Sequence, residues 1–311
     1  MNIATWRIIA QYVLLITAGV IIANIVLESD AMRKLSPLIR PFCRTSNLPK
    51  EGAVSLFASF FNPTAGKSTL AGFYHEGKIG DKETILTLLM STFPVVVGES
   101  LFRVHAPIAL VLLGPLIGSI YIALRFLSAF LQSFAAFIYA KVHLPSLTYS
   151  EEEIYVDATK TPHSQKLKTA LKKSFTTLIR IIPIMVVAFL VIDFLFTRGI
   201  MNYISVLFDP ILRVLDLPGE VITALIADLA HFSAGYAIVA ALLAKEVITA
   251  KQAIITLLIG SILVITLVYL KYSLSINISL FGKLGMKITA IMYLSSITAK
   301  VFMILLVIVV M

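Results

Sequence analysis

Twice along this chain an apolar segment starts like a membrane-crossing helix and then breaks after about nine residues. The first copy runs from Ala53 to Phe61, meets Asn62-Pro63-Thr64-Ala65-Gly66, and resumes from Lys67 to Tyr74. The second runs from Ile222 to Ala230, meets His231-Phe232-Ser233-Ala234-Gly235, and resumes from Tyr236 to Ala244. A limb of that length makes about 14 Å of helix at 1.5 Å per residue. That is roughly half of a hydrocarbon layer about 30 Å thick. One limb cannot cross a bilayer, but two limbs joined at a tip reach its middle and return. The pattern predicts two re-entrant helical hairpins, 53–74 and 222–244.

The copies are in register. Shifting the sequence by 169 positions aligns 48–91 with 217–260 without a gap, and 14 of the 44 pairs are identical. An apolar alphabet produces chance matches between leucines. It does not place Pro49 on Pro218, Glu51 on Glu220, Gly66 on Gly235 and Lys82 on Lys251. The chain is therefore a duplication. Upstream, an offset of 173 aligns Arg7-Ile8-Ile9 with Arg180-Ile181-Ile182, and the change of offset falls in a polar loop, where insertions are tolerated. Downstream, Ala123, Leu127 and Ser128 meet Ala290, Leu294 and Ser295 at an offset of 167.

Composition supplies the medium. Of 311 residues, 59% are hydrophobic and 14% charged, where soluble domains carry about a quarter charged residues. With a mean hydropathy of +0.94, the expectation is a multi-pass protein of the cell membrane. The net charge of +9 comes from basic residues in loops beside apolar spans, a pattern for a lipid surface and not for nucleic acid. The lone Cys43 leaves no internal disulfide.

The predicted order begins with span 8–27, too long for a signal peptide's apolar region and without a small-x-small site after it. A basic loop 28–52, the first hairpin, and a span at 84–103 broken at Pro94 and Gly98 follow. Residues 104–117 read as a partial insertion and 118–141 as a span. A hydrophilic linker, 143–174, joins the halves. The second half has a span at 175–197, a mixed loop 198–220, its hairpin, and spans at 252–270 and 286–310, with 272–286 too polar to cross. Positive charge after the first span places the N-terminus outside and the linker in the cytoplasm. Three crossings per half is odd, so the second half is inserted upside down and the C-terminus is also outside. The fold class expected is an all-α polytopic membrane protein. Its two inverted-topology repeats, 1–142 and 175–311, each have about three transmembrane helices plus a re-entrant hairpin. Secondary transporters are commonly built this way.

The Asn-Pro-Thr-Ala-Gly and Phe-Ser-Ala-Gly tips, the Gly-Lys-Ile turn at 77–79 and the Leu-Leu-Met-Ser-Thr-Phe-Pro run at 88–94 resemble the nucleoside-recognition, or Gate, family. The resemblance covers most of both halves. Modules of that family occur in the membrane portion of ferrous-iron permeases and are related to those of concentrative nucleoside transporters. The resemblance therefore implies a transport fold, with a nucleoside-like solute or a divalent cation as cargo.

At each tip the first limb ends in unpaired carbonyls and the second begins with unpaired N–H groups. In hydrocarbon these groups must face protein or a wet cavity. The start of the second limb carries partial positive charge suited to an anionic group, and Lys67 adds to it in the first copy, where the second has Tyr236. The substrate-binding candidates are Asn62, Thr64, Gly66, Lys67 and Ser68 with His231, Ser233, Gly235 and Tyr236. The same residues also suit two tips that pack on one another. Asp228 and His231, three apart, share a helix face. Ionisable residues at that depth are costly and usually face a pathway. Asp228, Glu99 and Lys300 are the ion- or proton-coupling candidates, with Na+ or H+ left open. Against that stands simple pairing of Asp228 with His231 or Lys300, and of Glu99 with Arg103 at an outer helix end. Arg125 and Arg180, near span ends, are expected to snorkel.

Ala65-Gly66-Lys67-Ser68-Thr69 imitates the end of a phosphate-binding loop, but Phe61 stands where the first glycine belongs and no parallel-sheet pattern surrounds it. No nucleophile with base and orienting group, no metal motif and no cofactor signature appears, so no enzyme is expected. The leading expectation is a secondary transporter of a small polar or anionic solute, with alternating access around a midplane site between the two tips. An integral membrane scaffold or a divalent-cation permease module is the alternative. The expected partners are the lipid bilayer and the solute, with homo-oligomerisation open.

Overall fold

The computed structural model describes residues 45–102, 105–145, 217–230 and 232–311, with isolated positions within 10–21 and 167–186. The spans expected at 8–27 and 175–197 and the loop 198–220 fall essentially outside them. The described chain is helical, without a strand. In order its helices are α1 (Lys50–Phe61), α2 (Pro63–His75), α3 (Asp81–Met90), α4 (Thr92–Phe102), α5 (His105–His143), α6 (Val221–Ala230), α7 (Phe232–Ala244) and α8 (Ala250–Val268). A π-helical turn, Tyr269–Ser273, leads to α9 (Leu274–Phe281) and α10 (Lys283–Val310).

Each expected hairpin is a helix pair. The break in the first is narrower than the five residues 62–66 expected, because Asn62 alone leaves the helical conformation, at φ −151° and ψ 114°. Its side-chain oxygen accepts from the N–H groups of Thr64 at 2.9 Å and Ala65 at 3.2 Å, capping α2. Pro63 fits the first helical position, where no N–H is needed. In the second copy α7 likewise resumes by Phe232, and His231 lies outside the described residues.

The duplication extends to backbone detail. After α2 the N–H of Gly77 bonds Tyr74 O at 3.1 Å and that of Lys78 bonds Phe73 O at 3.0 Å, a Schellman cap. After α7, at the same register, Glu246 bonds Leu243 O at 3.0 Å and Val247 bonds Leu242 O at 3.0 Å. The second copy closes this turn with φ +58° on a glutamate where the first uses glycine. In the next helices Thr87 and Thr256, also in register, return their hydroxyls to Glu83 O and Gln252 O, both at 2.7 Å.

The segment 104–117, expected as a partial insertion, carries a bend. Gly114 interrupts α5 with φ +79° and ψ 165°, a conformation open almost solely to glycine. Past the bend Gly118 lies so close to the preceding limb that a Cβ there would stand 3.0 Å from Leu110 Cα. Gly282, with φ +60°, separates α9 from α10 in the same way. A Cβ on Gly285 would stand 2.6 Å from Ile278 N.

The break expected at Pro94 and Gly98 is corrected. The turn falls at Ser91, and α4 runs through both residues. Pro94 sits in the first turn of α4, where a missing N–H is tolerated. Ser133 of α5 repairs the ladder there: its hydroxyl donates to Met90 O at 2.9 Å and accepts from Phe93 N at 2.9 Å.

The chain forms two compact units. The first gathers 1–95, 132–189 and 275–289, with a core that includes Leu48, Leu56, Leu86, Met90, Ala136 and Ala140. The second gathers 96–131, 190–274 and 290–311, around Tyr121, Leu225, Tyr236, Ile254, Leu258 and Met303. Each unit thus holds one hairpin together with a glycine-broken segment from the other half of the sequence. Among the described residues three helical stretches are long and apolar enough to cross a membrane: Ile108–His143, Ala250–Phe281 and Lys283–Val310. They contain the spans expected at 118–141, 252–270 and 286–310. The stretch expected to span at 84–103 is instead the shorter pair α3 and α4.

Candidate functional site

In the first unit one hydroxyl ties limb to limb: Ser55 of α1 donates to Gly66 O of α2 at 2.8 Å, while Ser59 donates back along α1 to Ser55 O at 2.8 Å. Gly66 permits this approach, because a Cβ there would stand 2.8 Å from Ser59 Cα. Gly66 is thus a packing position, and Asn62 and Thr64 are joined in the cap. Lys67, one turn into α2, directs its ammonium to Asn277 Oδ1 on α9, at 3.5 Å. Asn277 is fully buried; its amide donates to Thr289 Oγ1 at 3.0 Å, and Thr289 in turn donates to Gly285 O at 2.7 Å. Ser68 and Ser275 are both fully buried, and their hydroxyls make no hydrogen bond among the described residues.

At the far end of α2, Glu51 and Lys78 lie near the mouth of the hairpin. Burial pushes the Glu51 carboxyl above the usual carboxylate range, against the opposing pull of its own backbone N–H, Lys50 and Lys78. A cavity of about 200 Å³ beside Asn47, Lys78 and Glu83 opens there, away from Lys67.

In the second unit the tip residues meet aromatic and charged groups. Tyr236, in register with Lys67, is buried, and its hydroxyl donates to Tyr121 Oη at 3.2 Å while accepting from Arg125 Nη1 at 3.3 Å. The Tyr121 and Tyr236 rings meet edge to face at 5.5 Å, and the Arg125 guanidinium stands 5.9 Å above the Tyr121 ring. Arg125 therefore does not snorkel as expected; it turns inward onto hairpin two. Asp228 is 8% exposed, packed on the backbones of Gly235 and Gly260, and its Oδ1 accepts no hydrogen bond among the described residues. Arg125 lies within electrostatic reach of both Asp228 and Lys300. No ion pair joins Asp228 to Lys300 among the described residues.

Of the expected residues, Lys67 meets Asn277 in the first unit, and Ser68 follows it in α2 with a buried hydroxyl. Asp228, Gly235, Tyr236 and Lys300 lie in the second unit. The first three are in contact or electrostatic reach of one another, and Lys300 is in reach of Arg125. Ser233 lies in the first turn of α7, part-buried, and Glu99 is part-buried in α4. His231 and Arg103 lie outside the described residues. Asn277, Thr289, Ser275 and Tyr121 were not among the expected site residues. The signal for Asn277 was present, since an amide within an otherwise apolar run is costly unless it has a partner. Among the described residues no three His, Cys, Asp or Glu side chains cluster to hold a metal ion.

Comparison with known proteins follows the two halves. The profile of the family described as nucleoside recognition, Gate, matches residues 9–111 and again 178–285. The chain is similar to three proteins of Methanocaldococcus jannaschii. It is 42% identical to the uncharacterized protein MJ0880 over 304 residues, covering 96% of this chain and 97% of that one. It is 27% identical to the uncharacterized protein MJ0871, covering 98% and 94%, and 27% identical to MJ1556, covering 80% and 78%. No solved structure matches.

Proposed function

The chain belongs to the nucleoside-recognition, or Gate, family of membrane proteins, and from that membership we propose that it is a secondary transporter of a small polar or anionic, nucleoside-like solute. The observation that carries the reading is the polar patch at the first tip. Lys67 and Asn277 meet one turn into α2. Asn62 caps the N–H groups of Thr64 and Ala65, so the Lys67 ammonium and the positive end of the helix dipole are what favour an anionic or polar partner. The buried hydroxyls of Ser68 and Ser275 are left without a bond among the described residues. Each unsatisfied hydroxyl costs about 1–3 kcal/mol, a cost that a solute offering donors and acceptors would offset.

In this reading the hairpins are re-entrant, the halves are inverted repeats, and access to the tips alternates between the two sides of the membrane. The protein works in the cell membrane with the 143–174 linker in the cytoplasm. It catalyses no covalent chemistry and binds no nucleic acid. Purified protein in proteoliposomes should take up one or more radiolabelled nucleosides or related anions. Lys67→Ala should abolish that uptake without lowering the yield of folded protein. Absence of uptake across a broad panel of nucleosides, nucleobases and small organic anions would overturn the proposal.

A further inference from the structure

The two hairpins place different chemistry at one position. In register, Ser59 of α1 matches Asp228 of α6, and Gly66 matches Gly235. Each glycine lies against its partner: a Cβ on Gly66 would stand 2.8 Å from Ser59 Cα, and one on Gly235 would stand 2.9 Å from Asp228 Cα. Ser59 is satisfied there by its bond to Ser55 O. This geometry therefore closes with a neutral hydroxyl, and packing gives no reason for a carboxylate.

Asp228 carries costs that Ser59 does not. It is buried, and its Oδ1 accepts no bond among the described residues. It also stands in the last turn of α6 (Val221–Ala230), a turn without a basic residue. There the partial negative charge of the helix end opposes a carboxylate. Each of these costs falls when positive charge is added to the carboxylate.

Space and neighbouring charge decide which cation fits. A methyl group on Gly235 would stand 2.8 Å from Asp228 Oδ1, and one on Gly260 would stand 3.2 Å from its Cγ. A metal ion and its oxygen ligands have no room between the carboxylate and these two backbones. Among the described residues, the charged and titratable groups facing Asp228 are Arg125 from α5 and Tyr236 from α7. Lys300 of α10 stands within reach of Arg125. The titratable group of α8 is Lys251, whose ammonium is bonded to Ile308 O at 2.9 Å. With Arg125 already present, a second fixed cation is opposed by like charge, whereas a proton needs no space and neutralises the carboxylate itself.

We propose that Asp228 is the proton-binding residue of the transport cycle. Its carboxylate takes one proton from water on one side of the membrane, forming the neutral acid, and returns it to water on the other. The coupling part of this inference rests on the transport reading; the proton site itself does not.

Two measurements separate them. Infrared difference spectra of the lipid-reconstituted protein across a pH titration should show a carboxylic-acid carbonyl band that is lost in Asp228→Asn and in Asp228→Ser. The serine variant copies Ser59, which the first hairpin already accommodates. In proteoliposomes an inward proton gradient should drive accumulation of radiolabelled uridine by the native protein. In Asp228→Ser that accumulation should be lost while uridine counterflow persists. A band unchanged by both substitutions, or gradient-driven accumulation retained in Asp228→Ser, would overturn the proposal. Failure of the native protein to move uridine or any other nucleoside would tell against the transport reading, and the carbonyl band would still decide the proton site.

Discussion

Gly66 and Gly72 lie in the same helix six residues apart, yet their surroundings predict opposite responses to a methyl group. At Gly66 the methyl meets the backbone of Ser59, which cannot rotate away. Overpacking of this kind costs about 1–3 kcal/mol, so Gly66→Ala should lower the melting temperature in detergent. Gly72 has nothing within 4 Å of its missing Cβ, and Ala241 stands at the same register in the second copy. Gly72→Ala should stabilise by about 0.5–1 kcal/mol, the ordinary helix-interior advantage of alanine. Equal effects of the two substitutions would show that limb contact at the tip is not what Gly66 serves. The register alignment made Gly66 and Gly235 legible as close approaches, because both copies keep glycine where two limbs must meet. It also singled out Lys67, Tyr236 and Asp228 as polar groups at apolar depth. It could not supply their partners: Asn277 and Tyr121 come from distant segments, and a side chain's own periodicity does not say which remote helix faces it.

Pro94 shows how an element can keep its helical path across a residue that signals a break. Proline removes the N–H that would reach Met90 O, and the sequence therefore marks a discontinuity. The hydroxyl of Ser133, some forty residues away, donates to Met90 O and accepts from Phe93 N, so α4 continues and the turn sits at Ser91. No local pattern announces that repair, because it depends on α5 lying alongside. Ser133→Ala should cost about 1–3 kcal/mol by leaving those backbone groups unsatisfied. Pro94→Ala restores an N–H for Met90 O, so the cost of Ser133→Ala should be smaller in the Pro94→Ala background. A double-mutant cycle on thermal unfolding measures that coupling, and strict additivity of the two changes would contradict the account. Where the sequence carried a break with no such distant partner, as within 62–66, the helix does break, at Asn62.

Across the whole chain the repeated features form a consistent set: a hairpin, a left-handed turn after it at 77 or 246, and a glycine-broken segment at 114 or 282. Such a set arises from duplication. Whether the second copy is inverted depends on how many times the first crosses the membrane, which local geometry does not determine. The parity argument from the sequence gives three crossings per half, and with them opposite faces of entry for the two hairpins. Three described stretches have the length and apolarity to cross; with the spans expected at 8–27 and 175–197 they make five, and the sixth crossing rests on the stretch 84–103, where α3 and α4 stand. The prediction can be read directly, because Cys43 is the single cysteine. In a Cys43→Ser background, Thr64→Cys and Ser233→Cys each place a thiol near one tip. A membrane-impermeant maleimide should label the two variants from opposite faces of sealed, oriented vesicles. Labelling of both from the same face would mean an even number of crossings between the tips. The duplication would then be parallel, and alternating access by two opposed hairpins would lose its structural basis.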